Sequence, residues 1–93
     1  MKSIQEIKET LEKHREEMKE KYKVREIGIF GSFVRGEQKE ASDVDILVEF
    51  GGTIGFFKFL ELEEYLEGLL GVKVDLVSKK ALKPRIGRQI LKV

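Results

Sequence analysis

The sequence predicts a small α/β (α+β) fold: a mixed three-stranded sheet with helices packed on it, in the order α-β-α-β-α-β-α. Three observations carry that prediction. Apolar residues recur at helical spacing over 3–22 and 55–70. Segments 24–30, 43–50 and 72–77 are rich in β-branched and aromatic types, and the last two alternate between faces. Glycines and polar runs separate these stretches. The 93 residues suit one domain, 1–93, around one hydrophobic core.

The first helix, 3–22, places Ile4, Ile7, Leu11, Met18 and Tyr22 on one stripe. Ser3 with Glu6 makes a capping box at its start. His14 lies on the same stripe and reads as a boundary residue rather than a catalytic one. Strand 24–30 ends at Gly31-Ser32, residues 33–36 suit a short helical turn closed by Gly36, and 37–42 read as a loop. In strand 43–50, Val44, Ile46, Val48 and Phe50 take one face; Asp43, Asp45, Leu47 and Glu49 take the other.

Helix 55–70 carries a broad apolar face of Phe56, Phe59, Leu60, Leu66, Leu69 and Leu70, with Leu62 beside them. Thr53 or Gly55 suits its N-cap and Gly71 its C-cap. In strand 72–77, Val72, Val74 and Leu76 face one way, Lys73 and Asp75 the other. Residues 79–92 read as a closing helix with Pro84 near its start, weakened by Gly87 by roughly 1 kcal/mol relative to Ala.

Composition narrows the classes of function. Charged residues make up 38% of the chain, above the typical level of about 25%. Cysteine is absent and there is one histidine, so disulfides, thiol chemistry and a zinc site are excluded or disfavoured. No apolar run approaches a membrane span, and the N-terminus lacks a signal peptide's apolar core, so a cytoplasmic protein is expected. Residues 76–93 hold six of the 18 bases and none of the 17 acids. Such a tail suits an anionic partner, and a solvated basic helix accounts for it equally well.

Asp43 and Asp45 stand two apart on a strand, so their carboxylates project from one face. Acids that close repel unless a cation lies between them, and Mg²⁺ favours carboxylate and phosphate oxygens. Taken alone, the pair reads more readily as two solvated acids. Asp75, centred in another alternating strand, can share their face if the two strands pair. Three converging acids would be costly without a cation, and two metals bridged by them would clamp the oxygens of an in-line displacement. Gly31-Ser32 follows a strand, where a glycine lets backbone N–H groups approach phosphate; alone, it is a plain turn. Arg35 suits a phosphate or a local acid such as Glu37, in a structural or substrate-orienting role. There is no P-loop sequence and no RNP-like interleaving of aromatics with bases.

Gly31-Ser32, ten residues, Asp43-x-Asp45 and a later strand Asp75 together resemble the nucleotidyltransferase superfamily that includes DNA polymerase β and kanamycin nucleotidyltransferase. The finer text, Gly31-Ser32-Phe33-Val34-Arg35-Gly36 with Ser42-Asp43-Val44-Asp45-Ile46-Leu47-Val48, resembles the minimal nucleotidyltransferases. Those are small archaeal and bacterial proteins, many encoded beside a HEPN ribonuclease toxin as its antitoxin. The resemblance covers nearly the whole chain. It implies transfer of AMP from ATP to a hydroxyl, in the antitoxins a tyrosine of the HEPN toxin, with Mg²⁺ as cofactor, two ions in all.

By position, Asp43, Asp45 and Asp75 would be the catalytic, metal-binding acids, and Asp75 would also help deprotonate the acceptor. Gly31 and Ser32 would hold the triphosphate, with Arg35 beside them. The glycine-rich run Gly51–Gly55 departs from the family's pattern and bears on loop order rather than chemistry. Larger relatives carry an extra domain for base and acceptor; here a partner protein is expected to supply the acceptor. The alternative is an antitoxin that neutralises its partner by contact alone. Nucleic-acid binding through 79–92 is the least favoured reading, and oligomeric state is not encoded in these motifs.

Overall fold

The structure is a computed structural model; it describes residues 3–31, 43–81 and 91–93. Two N-terminal helices, α1 (Ile4–Lys13) and α2 (Arg15–Tyr22), lead into β1 (Val24–Phe30). Next come β2 (Val44–Phe50), α3 (Phe56–Leu70), β3 (Val74–Ser78), a 3₁₀ turn (Lys79–Ala81) and a two-residue strand, β4 (Leu91–Lys92). The sheet order is β3-β2-β1-β4. β1 runs antiparallel to both β2 and β4, and β2 parallel to β3. A parallel pair needs a crossover, and α3 supplies it.

Alternation in the strands sets the core. Val44, Ile46 and Val48 of β2 lie beside Ile27 and Ile29 of β1 and Val74 and Leu76 of β3, all buried. Ile7, Leu11, Met18 and Tyr22 from α1 and α2, and Leu62, Leu66 and Leu70 from α3, close over them. No polar or charged side chain is buried among the described residues. Phe30, Asp45, Leu47, Asp75 and Val77 belong to the opposite face by the same registers.

The structure amends the sequence reading in four places. The helix expected over 3–22 breaks at His14. There the imidazole Nδ1 lies 2.9 Å from the Thr10 carbonyl, while the His14 N–H turns to the Leu11 carbonyl at 3.2 Å. The side chain thus occupies the carbonyl an uninterrupted helix would have used. Second, the apolar face of α3 is only partly covered: Leu62, Leu66 and Leu70 are buried, whereas Phe56 and Phe57 are 70% and 80% exposed.

Third, the strand expected at 72–77 spans Val74–Ser78. Fourth, Leu91 and Lys92 form a strand, not the end of a closing helix. They pair with Ile29 and Gly28, and the Val93 N–H donates to the Ile27 carbonyl at 3.0 Å. The sheet therefore has four strands, the fourth very short. The turn expected at 33–36, the loop at 37–42, and residues 82–90 of the expected closing helix lie outside the described residues.

The caps follow expectation. The Ser3 hydroxyl accepts from the Glu6 N–H at 3.2 Å and faces the Glu6 carboxylate. Gly71, at φ +69°, ends α3 with its N–H on the Glu67 carbonyl at 2.8 Å. Gly55 is the N-cap of α3 and brings no side-chain bond.

Candidate active site

Gly31 is the first residue after β1 and has φ +77°, a conformation that favours glycine. The turn also leaves no room for a side chain. A Cβ at this position would lie 2.0 Å from Oδ2 of Asp45 and 2.9 Å from its Cγ. The Asp45 carboxylate therefore rests directly against the backbone of the glycine turn. The β1–β2 register produces this contact by setting Phe30 opposite Asp45.

The β2–β3 register sets Asp45 opposite Asp75. Residues paired across adjacent strands project from the same face, so these two acids share the face away from the helices. Asp45 is half-buried and Asp75 exposed. Asp43 is exposed one residue before β2, where the Val44 N–H donates to the Lys73 carbonyl at 2.9 Å and ties the start of β2 to β3. Alternation thus correctly anticipated Asp45 and Asp75 on one face. Ser32 and Arg35 lie outside the described residues.

Among the described residues, no three carboxylate or imidazole groups stand close enough to share one ion. The donor set still fits Mg²⁺. Its oxygens are hard ligands, and Mg²⁺ is commonly held by one or two carboxylates completed by substrate phosphate. The glycine turn holds the Asp45 carboxylate at the end of β1, where such an ion would sit between carboxylate and phosphate.

Two further features of this region had no motif to announce them. Glu26 and Glu49 are register partners, and like charges placed opposite one another are destabilising. Lys79 answers both, 3.8 Å from each. Glu67, in the last turn of α3, accepts from the Val74 N–H at 3.0 Å. The Lys73 carbonyl points toward β2, so the next N–H points off the sheet edge, and Glu67 covers it immediately before Asp75. The available signal was an acid in the last turn of a helix, where the macrodipole favours cations.

A cleft of about 440 Å³ between Phe50, Phe59 and Lys79 lies at the far end of β2 from Asp45. Four residues of strand separate Asp45 from Glu49, roughly 13 Å. Register and the glycine contact, rather than that cleft, define the candidate site.

A glycine turn seated on a strand carboxylate, with a second acid in register on a mixed sheet, is the layout of a nucleotidyltransferase. The family model for the nucleotidyltransferase domain matches residues 11–92. The chain belongs to that family, on its branch of minimal protein adenylyltransferases. The protein adenylyltransferase MntA of Thermococcus cleftensis is 54% identical over 92 residues, covering 99% of this chain and 93% of that protein. Among solved structures, one described as a candidate minimal nucleotidyltransferase is 37% identical at a TM-score of 0.73, covering 91% of this chain and 94% of its own. A toxin–antitoxin structure with AMP-PNP is 29% identical at a TM-score of 0.66, covering 84% of this chain and 64% of that one.

Proposed function

We propose that this chain transfers AMP from ATP to a hydroxyl, a tyrosine of a HEPN-type toxin, and so acts as an antitoxin. The observation that carries the reading is the Asp45 carboxylate packed on Gly31 with Asp75 in register beside it. The relatedness to a protein adenylyltransferase, and to a toxin–antitoxin structure solved with AMP-PNP, supports it. No helix among the described residues is long and apolar enough to cross a membrane, in keeping with a cytoplasmic reaction.

In this reading the Gly31 turn and the Ser32 hydroxyl hold the triphosphate, and Arg35 orients it. Asp43 and Asp45 would hold Mg²⁺ together with the substrate phosphate, and Asp75 would complete the site. When bound, the metal would neutralise phosphate charge that the carboxylates alone would repel. Asp75 accepts the proton of the acceptor hydroxyl. The hydroxyl oxygen forms a bond to the α-phosphorus of ATP, the bond to the β-phosphate oxygen breaks, and pyrophosphate leaves. The partner contributes the acceptor and the specificity for it.

The test uses the purified chain, ATP labelled on its α-phosphate, Mg²⁺ and the toxin encoded beside it. Label should enter the toxin with the wild type and not with Asp43→Asn/Asp45→Asn. Equal labelling by that variant, or none by the wild type, would refute the assignment. The exposed Phe56, Phe57 and Leu60 favour a second reading, in which docking alone neutralises the partner. In that case the double Asn variant still neutralises; a variant that binds without neutralising excludes it.

A further inference from the structure

At the end of β1 remote from Gly31, four cations converge on one cleft of about 580 Å³: Arg15, Lys19, Lys23 and Arg25. Glu16 is the one acid in the lining among the described residues. Six residues of strand separate Arg25 from Gly31, about 20 Å, so this cleft is independent of the candidate active site.

The local chemistry of the cleft runs against stability. Arg15, Lys19 and Lys23 follow one another at four-residue steps along one helical face, a spacing at which like charges destabilise a helix. Some cations elsewhere on the surface are paired: Lys8 with Glu12, Lys21 with Glu17, Lys58 with Glu61. Among the described residues, Arg15, Lys19 and Arg25 have no ion-pair partner, and Lys23 only reaches the Thr53 carbonyl at 3.4 Å.

Two of these cations also sit at backbone irregularities. Lys23 ends α2 at φ +58° in the left-handed region, a position glycine fills most readily. The β1–β2 register slips between Val24 and Glu26, so Arg25 is the extra residue of a bulge, a device that re-aims a side chain. The helix macrodipole accounts for a cation near the end of α2, but not for Arg15 at its start or Arg25 on the strand.

We propose that this cleft seats the sugar–phosphate backbone of a nucleic acid, without reading its bases. Steps of four helical residues space the cations about 6 Å apart, comparable to successive phosphates along a strand. Two arginines supply forked donors that match phosphate oxygens. An acidic protein segment is the competing anion, but protein interfaces centre on aromatic or large apolar anchors. Among the described residues, the exposed large apolar ones, Phe56, Phe57 and Leu60, are all on α3, and none lines this cleft. No aromatic ring lines it among the described residues, so the proposal assigns base stacking no part. A backbone seat of this kind has no sequence motif, because positions 15, 19, 23 and 25 meet only in the fold.

The test is fluorescence anisotropy of a labelled 12-nucleotide RNA with the full chain, titrated from 50 to 200 mM salt. Four phosphate contacts give a log–log slope of about −3, so affinity should fall about 50-fold over that range. Arg15→Gln/Lys19→Gln/Arg25→Gln should reduce the slope to about −1. The control Lys8→Gln/Lys58→Gln/Lys73→Gln removes the same charge outside the cleft and should keep the wild-type slope. Single Arg15→Gln and Lys19→Gln variants, each lowering the slope by roughly 0.7, carry the test if the triple variant melts early. A cleft variant with the wild-type slope, equal losses in the control, or no binding by the wild type overturns the proposal. So does competition by a 12-residue poly-glutamate as effective as unlabelled RNA, which would assign the cleft to an acidic polypeptide.

Discussion

The two faces of the sheet are built from the same strands and do opposite work. Toward the helices, Ile46, Val48, Val44, Val74 and Leu76 are buried among apolar neighbours with no polar group among them. On the other face, Asp45, Glu49, Asp75 and Glu26 stand beside Phe30 and Leu47, which are themselves buried. Alternation forces this division, because each step along a strand reverses the side chain. Burial on the first face holds the second in register, so stability and chemistry are carried by neighbouring residues yet can be altered separately.

The sharpest test exchanges a residue on each face. Asp45→Asn should lower AMP transfer on the order of 1,000-fold, the equivalent of several kcal/mol of lost charge stabilisation. Leu66→Ala should instead cost about 2–5 kcal/mol of folding stability, since Leu66 is fully buried. Transfer per folded molecule should survive the Leu66 change. Thermal unfolding and labelled-ATP transfer, measured on both variants, check the pair. A large loss of both properties in both variants would mean that the faces are coupled.

Gly31→Ala probes the point where the faces meet, at the end of β1. A left-handed φ costs a non-glycine residue about 1–2 kcal/mol, and the new methyl would collide with the Asp45 carboxylate. The expected outcome is a modest drop in melting temperature with a loss of transfer beyond what the stability change explains. Unchanged transfer would show that the tight seat of Asp45 on the turn is dispensable.

These faces were legible in the sequence to different degrees. Period-two alternation in 43–50 and 72–77 placed Asp45 and Asp75 on one side, because that period is a local property of extended chain. The contact of Asp45 with Gly31 was not legible, since it follows from an antiparallel register between segments separated by 37–42. β4 escaped notice for a related reason. Leu91 and Lys92 are a strand through pairing with Ile29 and Gly28 rather than through their own propensity. On α3, apolar spacing identified the helix but not its limits of burial: Phe56 and Phe57 lie in its first turn, where they are largely exposed. His14 was correctly read at the edge of the apolar stripe, where it is half-buried, but the helix break there was not, because it depends on a side-chain bond that periodicity does not encode.

The helical layer has its own polar joint, and pH separates its contribution. Tyr65 donates to Glu17, linking α3 to α2, and the rings of Tyr22 and His14 flank it. The Tyr65 bond, with Lys21 adding to it, holds the Glu17 carboxyl below its ordinary value of 4.5. Burial, then the bond to Glu17, pushes the Tyr65 phenol above its ordinary 10.0. A lowered acid stabilises the fold above its unfolded value and loses that contribution as pH falls below it. A raised phenol stabilises the fold below pH 10.0 and loses its contribution as pH climbs further. Tyr65→Phe should therefore lower the melting temperature near neutrality and flatten its dependence on pH below 4.5 and above 10.0. Parallel pH profiles for the two proteins would assign the joint no energetic weight.

The smallest expected effect lies at the edge of the acidic face, at Glu67. Its carboxylate covers the outward N–H of Val74, one residue before Asp75, but it also places a negative charge at the C-terminal end of α3. The two contributions oppose each other. A charge-assisted bond to backbone stabilises, while an acid near a helix C-terminus costs about 0.3–1 kcal/mol. Glu67→Gln keeps an acceptor and removes the unfavourable charge, so its stability should stay within about 0.5 kcal/mol of the wild type. Glu67→Ala should cost about 1 kcal/mol through the lost bond. If Glu67 serves only the helix, both variants keep full transfer. If it holds β3 in place, Ala lowers transfer and Gln restores it, because the position of Asp75 depends on the strand start that this acceptor fixes.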